Sequence, residues 1–225
     1  MVASRLFGDA DRAAVHEAVI QAEKRTAGEI VPVVATASDD YERAEDTFGL
    51  WTALLLLTGA WLLFQGVGRS DEDWSAGWSL RLGLLPTLAI VTGGWILGIL
   101  AARRIPAFKR AAATRGAMEA RVVEAAEDAF RAFHVRGTKA ATGIVIYVSL
   151  FERIVCVRGD AAISEKVGEE AWREICDGLT RALADGRARD GLVEAIRRSG
   201  ELLEKHFPAR PGDVDELTND LRIID

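Results

Sequence analysis

Two long stretches without a charge constrain this chain most. Residues 47–68 (TFGLWTALLLLTGAWLLFQGVG) run for 22 positions with no Asp, Glu, Lys or Arg, and residues 82–102 (LGLLPTLAIVTGGWILGILAA) run for 21 more. At a helical rise of about 1.5 Å per residue each run spans roughly 32 Å, which matches a hydrocarbon core of about 30 Å. A soluble core helix of that length carries charges on its outward face, and neither run has any. The spacing predicts a transmembrane helical hairpin over residues 47–102, with spans at about 47–68 and 82–102 and an external loop at 69–81. Five of the six tryptophans (Trp51, Trp61, Trp74, Trp78, Trp95) fall in this region, where indole rings favour the headgroup zone. Pro86 and the Gly93-Gly94 pair are compatible with a spanning helix that packs on a neighbour, and Gly59 and Gly66 are the positions expected to let the two helices approach.

Lys and Arg near the helix ends set the orientation. The twenty residues before the first span hold one, Arg43; the twenty from Ala102 hold six, Arg103, Arg104, Lys109, Arg110, Arg115 and Arg121. The loop holds two, Arg69 and Arg81. Seven against two predicts both termini in the cytoplasm and the loop outside, with the protein multi-pass in the membrane. The first twelve residues have no apolar run resembling a signal peptide, so the first segment is expected to stay inside. The basic run also reads as a patch for anionic lipid, carried by Arg103, Arg104, Lys109 and Arg110, since each juxtamembrane cation contributes about 1 kcal/mol near a charged leaflet.

Composition narrows the function classes. The 225 residues carry a net charge of −6, which argues against a general nucleic-acid binder. Two cysteines exclude a disulfide scaffold and a multi-cysteine zinc site, and three scattered histidines (His16, His134, His206) offer no ligand cluster.

The 169 residues outside 47–102 alternate between helix and strand patterns. Residues 9–27 read as a helix closed by Gly28 in a left-handed cap, and residues 29–36 (EIVPVVAT) as a strand that Pro32 places at an edge or a bulge. A helix is expected from Ile105 to about His134. Residues 143–150 (GIVIYVSL) form a strand covered on both faces, followed after Phe151 and Glu152 by an antiparallel strand at 153–157. Two helices close the pattern, with Ser164 and Asp190 as caps. The tail beyond Pro208 is acidic and polar, with an apolar patch (Leu221, Ile223, Ile224) expected to dock back. One domain is thus split in two, residues 1–46 and 103–225, around the hairpin at 47–102. A strand–helix–strand crossover is parallel and right-handed. That geometry gathers Asp39, Asp40 and Glu152 at the membrane-facing sheet edge and Glu29 with Asp160 at the cytosolic edge.

Several stretches resemble the TPM-domain family: AEKRTAGEIVPVV (22–34), TGIVIYVSLFERIVCVRGDAAI (142–163), Trp172, GELLEKHFP (200–208) and NDL near residue 220. They are similar in particular to the bacterial membrane-anchored subgroup in which a two-helix hairpin follows the first strand. The resemblance implies an α/β/α sandwich around a small mixed sheet. Members of the broader family include acid phosphatases, calcium binders and accessory factors for membrane complexes.

The residues themselves offer little catalytic machinery. There is no G-x-x-x-x-G-K-[ST] loop. The sixth position after Cys156 is Ala162 and after Cys176 is Ala182, where a cysteine phosphatase needs Arg. Asp9 and Asp11 open a helix, and Asp213 and Asp215 lie in the polar tail. The two carboxylate groupings remain as candidate metal ligands: Asp39, Asp40 and Glu152, and Glu29 with Asp160. Both suit a hard cation such as Ca²⁺ or Mg²⁺. The favoured expectation is a non-catalytic accessory module for a membrane-protein partner. The alternatives are a membrane-tethered metal-dependent phosphatase and a calcium-binding module.

Overall fold

The structure, a computed structural model, describes residues 2–39, 42–65, 83–105, 110, 114–135, 142–209 and 217–225. Asp40, Gly66, the loop 69–81, Lys109, Asp213 and Asp215 lie outside the described residues. In chain order the elements are α1 (Ala3–Leu6), α2 (Asp9–Glu23), β1 (Glu29–Ala35), α3 (Glu42–Gln65), α4 (Leu84–Arg104), α5 (Arg115–Ala132), β2 (Gly143–Ser149), β3 (Ile154–Gly159), α6 (Ala161–Lys166), α7 (Glu169–Ala184), α8 (Ala188–His206) and β4 (Arg222–Ile224). Two compact units result: Met1–Asp39 with Gly116–Asp225, and Asp40–Arg115.

The first unit is built on a sheet of order β3-β2-β1-β4. β1 runs parallel to β2 and to β4, and β2 runs antiparallel to β3. Alternation along the strands sends Ile30, Val34, Ile144, Ile146 and Val148 to one face. There they meet α2, α7 and α8 through Val15, Val19, Leu179, Leu192, Ile196 and Leu203. The other parity sends Val31, Val33, Ala35, Val145 and Tyr147 onto Val122, Ala126, Ala129 and Phe130 of α5. The result is an α/β/α sandwich around a small mixed sheet. β1 and β2 are buried at every position, which is why both read as continuous apolar runs rather than alternating ones.

Several local expectations are corrected. Pro32 sits in an interior strand, paired with Ile146. Its missing donor is accommodated by alternation. The Glu29 N–H donates to the Thr142 carbonyl on the β2 side, while Ile30 and Thr36 donate on the opposite side, to Glu23 and Ile224. The Pro32 nitrogen therefore faces away from β2, at a level below β4, which pairs only with Val33, Val34 and Ala35. α2 stops at Glu23, and among the described glycines the left-handed one is Gly186, not Gly28. Gly28 is instead needed for close packing, because a Cβ there would lie 2.9 Å from Leu203 and 3.1 Å from the Thr142 carbonyl. No single helix runs from residue 105 to 134. Ile105 is extended (φ −120°, ψ 95°), the conformation imposed on a residue that precedes a proline, here Pro106. The turn between β2 and β3 takes four residues, 150–153, with Arg153 at φ 57°. Ser164 lies within α6, donating back to the Asp160 carbonyl, and α7 starts after Gly168. Asp190 is in the first turn of α8, whose cap is Arg187. The apolar tail patch becomes β4, a short parallel strand.

In the second unit α3 and α4 form an antiparallel pair with a seam of small residues. A Cβ on Gly94 would lie 2.9 Å from the Ala53 Cα, and one on Gly98 would lie 2.7 Å from the Gly49 Cα. Gly94 and Gly98 share one helix face four residues apart, as do Gly49 and Ala53, so each helix presents a small-xxx-small stripe to the other. Gly59, expected at the contact, has no described neighbour within 4 Å of its Cβ position. At one end of the seam Ala102 is buried and Arg103 Nε donates to Glu45 Oε2 at 2.7 Å.

Candidate functional site

The described members of the two carboxylate groupings, Asp39 with Glu152 and Glu29 with Asp160, lie in the sheet unit, at opposite ends of β1. At its C-terminal end the chain leaves Ala35 through Thr36 and Ser38. The β2–β3 turn closes over this end, with Leu150 N–H donating to the Ala35 carbonyl and Phe151 N–H to the Thr36 carbonyl. That closure brings Glu152, 6% exposed, beside Ser38. Glu152 Oε1 accepts the Ser38 N–H at 3.0 Å, and Oε2 accepts the Ser149 hydroxyl. The Ser38 hydroxyl also meets the Tyr147 phenol at 3.3 Å. Burial pushes the Tyr147 pKa up; the Ser38 contact opposes this and the Glu152 charge reinforces it. Asp39, next in the chain, forms an ion pair with Arg121 Nε of α5 at 3.1 Å. Asp39 and Glu152 thus do share an edge, and each is engaged with its own chain.

The other edge holds Glu29 at the start of β1 and Asp160 just after β3. Glu29 pairs with Gly143, and the Asp160 N–H donates to the Gly143 carbonyl, so β2 stands between the two acids. Two strand spacings of about 4.8 Å put their backbones roughly 10 Å apart. Both are buried, at 8% and 6% exposure. Asp160 caps α6 with its carbonyl rather than its side chain, and Oδ2 has no hydrogen-bond partner among the described residues. Among the described residues no three His, Cys, Asp or Glu side chains converge in a way that would hold a metal ion.

The cysteines are small core fillers. Burial raises the pKa of both, that of Cys176 to about 11, so neither is a thiolate near neutrality. Trp172 packs half-buried against the α2–α7–α8 layer. A cavity of about 310 Å³ opens between α7 and α8 over Ile175, Leu179 and Gly191, rimmed by Arg181, Glu194 and Arg198. None of the candidate carboxylates lines it. Of the basic run, Arg103 is committed to Glu45, while Arg104 is exposed in the last turn of α4.

Sequence reasoning missed Ser38, Tyr147, Ser149 and Arg121. Hydroxyl groups at the carboxyl ends of two adjacent parallel strands were the available signal, since polar networks and ligands gather there in open α/β sheets.

The fold and these edges define a mixed α/β sandwich with an apolar two-helix insertion after its first strand. Comparison with protein-family models gives no match, and comparison with curated proteins gives none. Among solved structures the chain is similar to the NMR structure of the BA42 protein from the psychrophilic bacterium Bizionia argentinensis. The TM-score is 0.56 at 19% identity, over 96% of this chain and 94% of that one. The likeness is one of fold.

Proposed function

We propose that this chain is an inner-membrane protein whose two spans carry a cytoplasmic TPM-like domain, and that the domain acts without catalysis as a docking module for another membrane protein. The observation that carries the reading is the contrast within the hairpin. Glu45–Leu63 and Leu84–Arg104 are each long and apolar enough to cross a membrane, yet little of either stretch is buried. Leu55, Leu63, Leu84 and Leu85 are 71–79% exposed while Gly49, Gly94 and Gly98 are packed. Water is a poor solvent for such a surface and hydrocarbon a good one. The excess of Lys and Arg on the flanks over the loop supports cytoplasmic termini. Arg104, with Lys109 and Arg110, suits anionic headgroups. The engagement of Asp39 with Arg121, and of Glu152 with Ser38 and Ser149, favours a structural over a substrate-handling role for that edge.

The test is crosslinking in intact membranes followed by detergent purification. A stoichiometric membrane-protein companion is expected, together with no turnover of a generic phosphate ester in Ca²⁺ or Mg²⁺. Turnover abolished by Asp160→Ala would replace this reading with the metal-assisted phosphatase. Asp160 Oδ2, without a hydrogen-bond partner among the described residues, favours that second reading, or simple calcium binding, which a rise in melting temperature on adding Ca²⁺ would reveal.

A further inference from the structure

The segment 217–225 is attached to the sheet unit more lightly than any other strand. β1 shares seven register pairs with β2 but three with β4. Leu221 and Ile223 lean on the α2–α7–α8 layer and Leu217 on the α5 layer, so the segment straddles the sheet edge. Asn219 is buried as well, while the outer attachments are polar and exposed. His16 Nδ1 lies 3.1 Å from Asp220, with side chains 44% and 67% exposed, and Arg222 sits 5.3 Å from the centre of the Phe133 ring. Asp225 Oδ1 accepts from Ser4 N–H at 3.1 Å.

One residue gathers the rest. The Thr36 N–H donates to the Ile224 carbonyl at 2.8 Å, and its hydroxyl donates to Asp225 at 2.9 Å while accepting from Ala3 N–H at 2.8 Å. Its carbonyl accepts from Phe151 N–H at 3.0 Å. Below this node the outer edge of β1 is closed to pairing, because Ile30 N–H is spent on Glu23 and Pro32 has no N–H. What the segment covers is therefore a slot for a short parallel strand at Val33, Val34 and Ala35.

The geometry points to strand exchange at this slot: residues 217–225 are a detachable strap, and the edge they cover docks an extended segment of the partner protein. Short, lightly attached elements open first, and an opened edge binds an added strand through main-chain hydrogen bonds, with side-chain pockets giving specificity. The strap is the template for its competitor: apolar residues at alternate positions packed into the same apolar layer, as Leu221 and Ile223 are, with a cation over Phe133 between them. This inference rests on the docking-module reading and supplies its contact.

The test uses the full chain in nanodiscs, hydrogen exchange, and a labelled peptide of sequence LTNDLRIID, residues 217–225. Residues 217–225 should exchange at least about tenfold faster than β2. Thr36→Val, which removes two hydroxyl hydrogen bonds, should speed strap exchange about tenfold further and leave β2 unchanged. Asp225→Ala, which removes the strap's acceptor for Ser4 N–H and the Thr36 hydroxyl but leaves the slot unaltered, should bind the unaltered peptide saturably and more tightly than the unaltered protein, and Thr36→Ser should restore slow exchange. Three results would each overturn the inference: strap and β2 exchanging in step, Thr36→Val unprotecting β2 as well, or a folded Asp225→Ala protein that ignores the peptide. A membrane companion recovered with a strap that never opens would end this inference and spare the docking module.

Discussion

The sheet unit and the hairpin unit solve the same packing problem with opposite residues. In the sheet unit large aliphatic side chains from both faces of β1 and β2 fill the two cores. In the hairpin the inward residues are the smallest, Gly49, Ala53, Gly94, Gly98 and Ala102, and the leucines and tryptophans point out. Hydrophobic burial drives the first arrangement in water. It cannot drive the second in lipid, where close backbone approach supplies the contact instead. The difference teaches that apolar content alone says little; which side the large residues occupy identifies the solvent.

Substitutions should separate the two units. The largest effect is expected from Ile146→Ala, a fully buried β2 residue. It should destabilise the sheet unit by about 2–5 kcal/mol in urea unfolding while the α3–α4 pair keeps its helicity. Gly98→Leu should cost about 1–3 kcal/mol or more in the hairpin, because the new side chain meets Gly49 and Thr52, whereas Gly59→Leu should change nothing measurable. Crosslinking between α3 and α4 in detergent reads that pair of variants. Equal tolerance at positions 98 and 59 would break the comparison. Glu152→Ala strips the acceptor from Ser38 N–H and the Ser149 hydroxyl and should cost about 1–3 kcal/mol. An unchanged melting temperature would mean that this carboxylate is free for another task.

The smallest effect belongs to the solvent face. Glu194 on α8 accepts from Arg197 and Arg198, which lower its pKa to about 2. A folded-state pKa below the unfolded one stabilises above the ordinary carboxylate range, and that contribution is lost as pH falls toward 2. The side chain is 45% exposed, so Glu194→Gln should cost only about 0.3–0.5 kcal/mol at pH 7, and the gap to the unaltered protein should close in acid.

Much of this fold is legible in the chain because its strongest signals are local. Charge-free runs located α3 and α4, and the unbroken apolar run at 143–150 located β2. The misses are long-range. β4 has three residues and no pattern of its own; it exists because β1 has an open edge at Val33–Ala35. Pro32 suggested an edge strand, and only the side to which its nitrogen turns reveals why an interior strand tolerates it. The Gly94-Gly98 spacing was visible, but choosing it over Gly59 requires the register of α4 against α3. Pro106 could have ended the helix at Ile105 from sequence alone. At the candidate site, the shared edge of Asp39 and Glu152 followed from strand direction, whereas their bonds to Arg121 and Ser38 depend on α5 and on a four-residue turn.

The central claim is that the leucine-faced hairpin lies in a bilayer with residues 69–81 outside. Cys156 and Cys176 are partly buried thiols with raised pKa values, so a cysteine placed by Asp73→Cys dominates labelling. An impermeant maleimide applied to intact cells should label that variant in the membrane fraction. A variant protected until the cells are lysed, or a chain recovered in the aqueous fraction without detergent, would contradict the account.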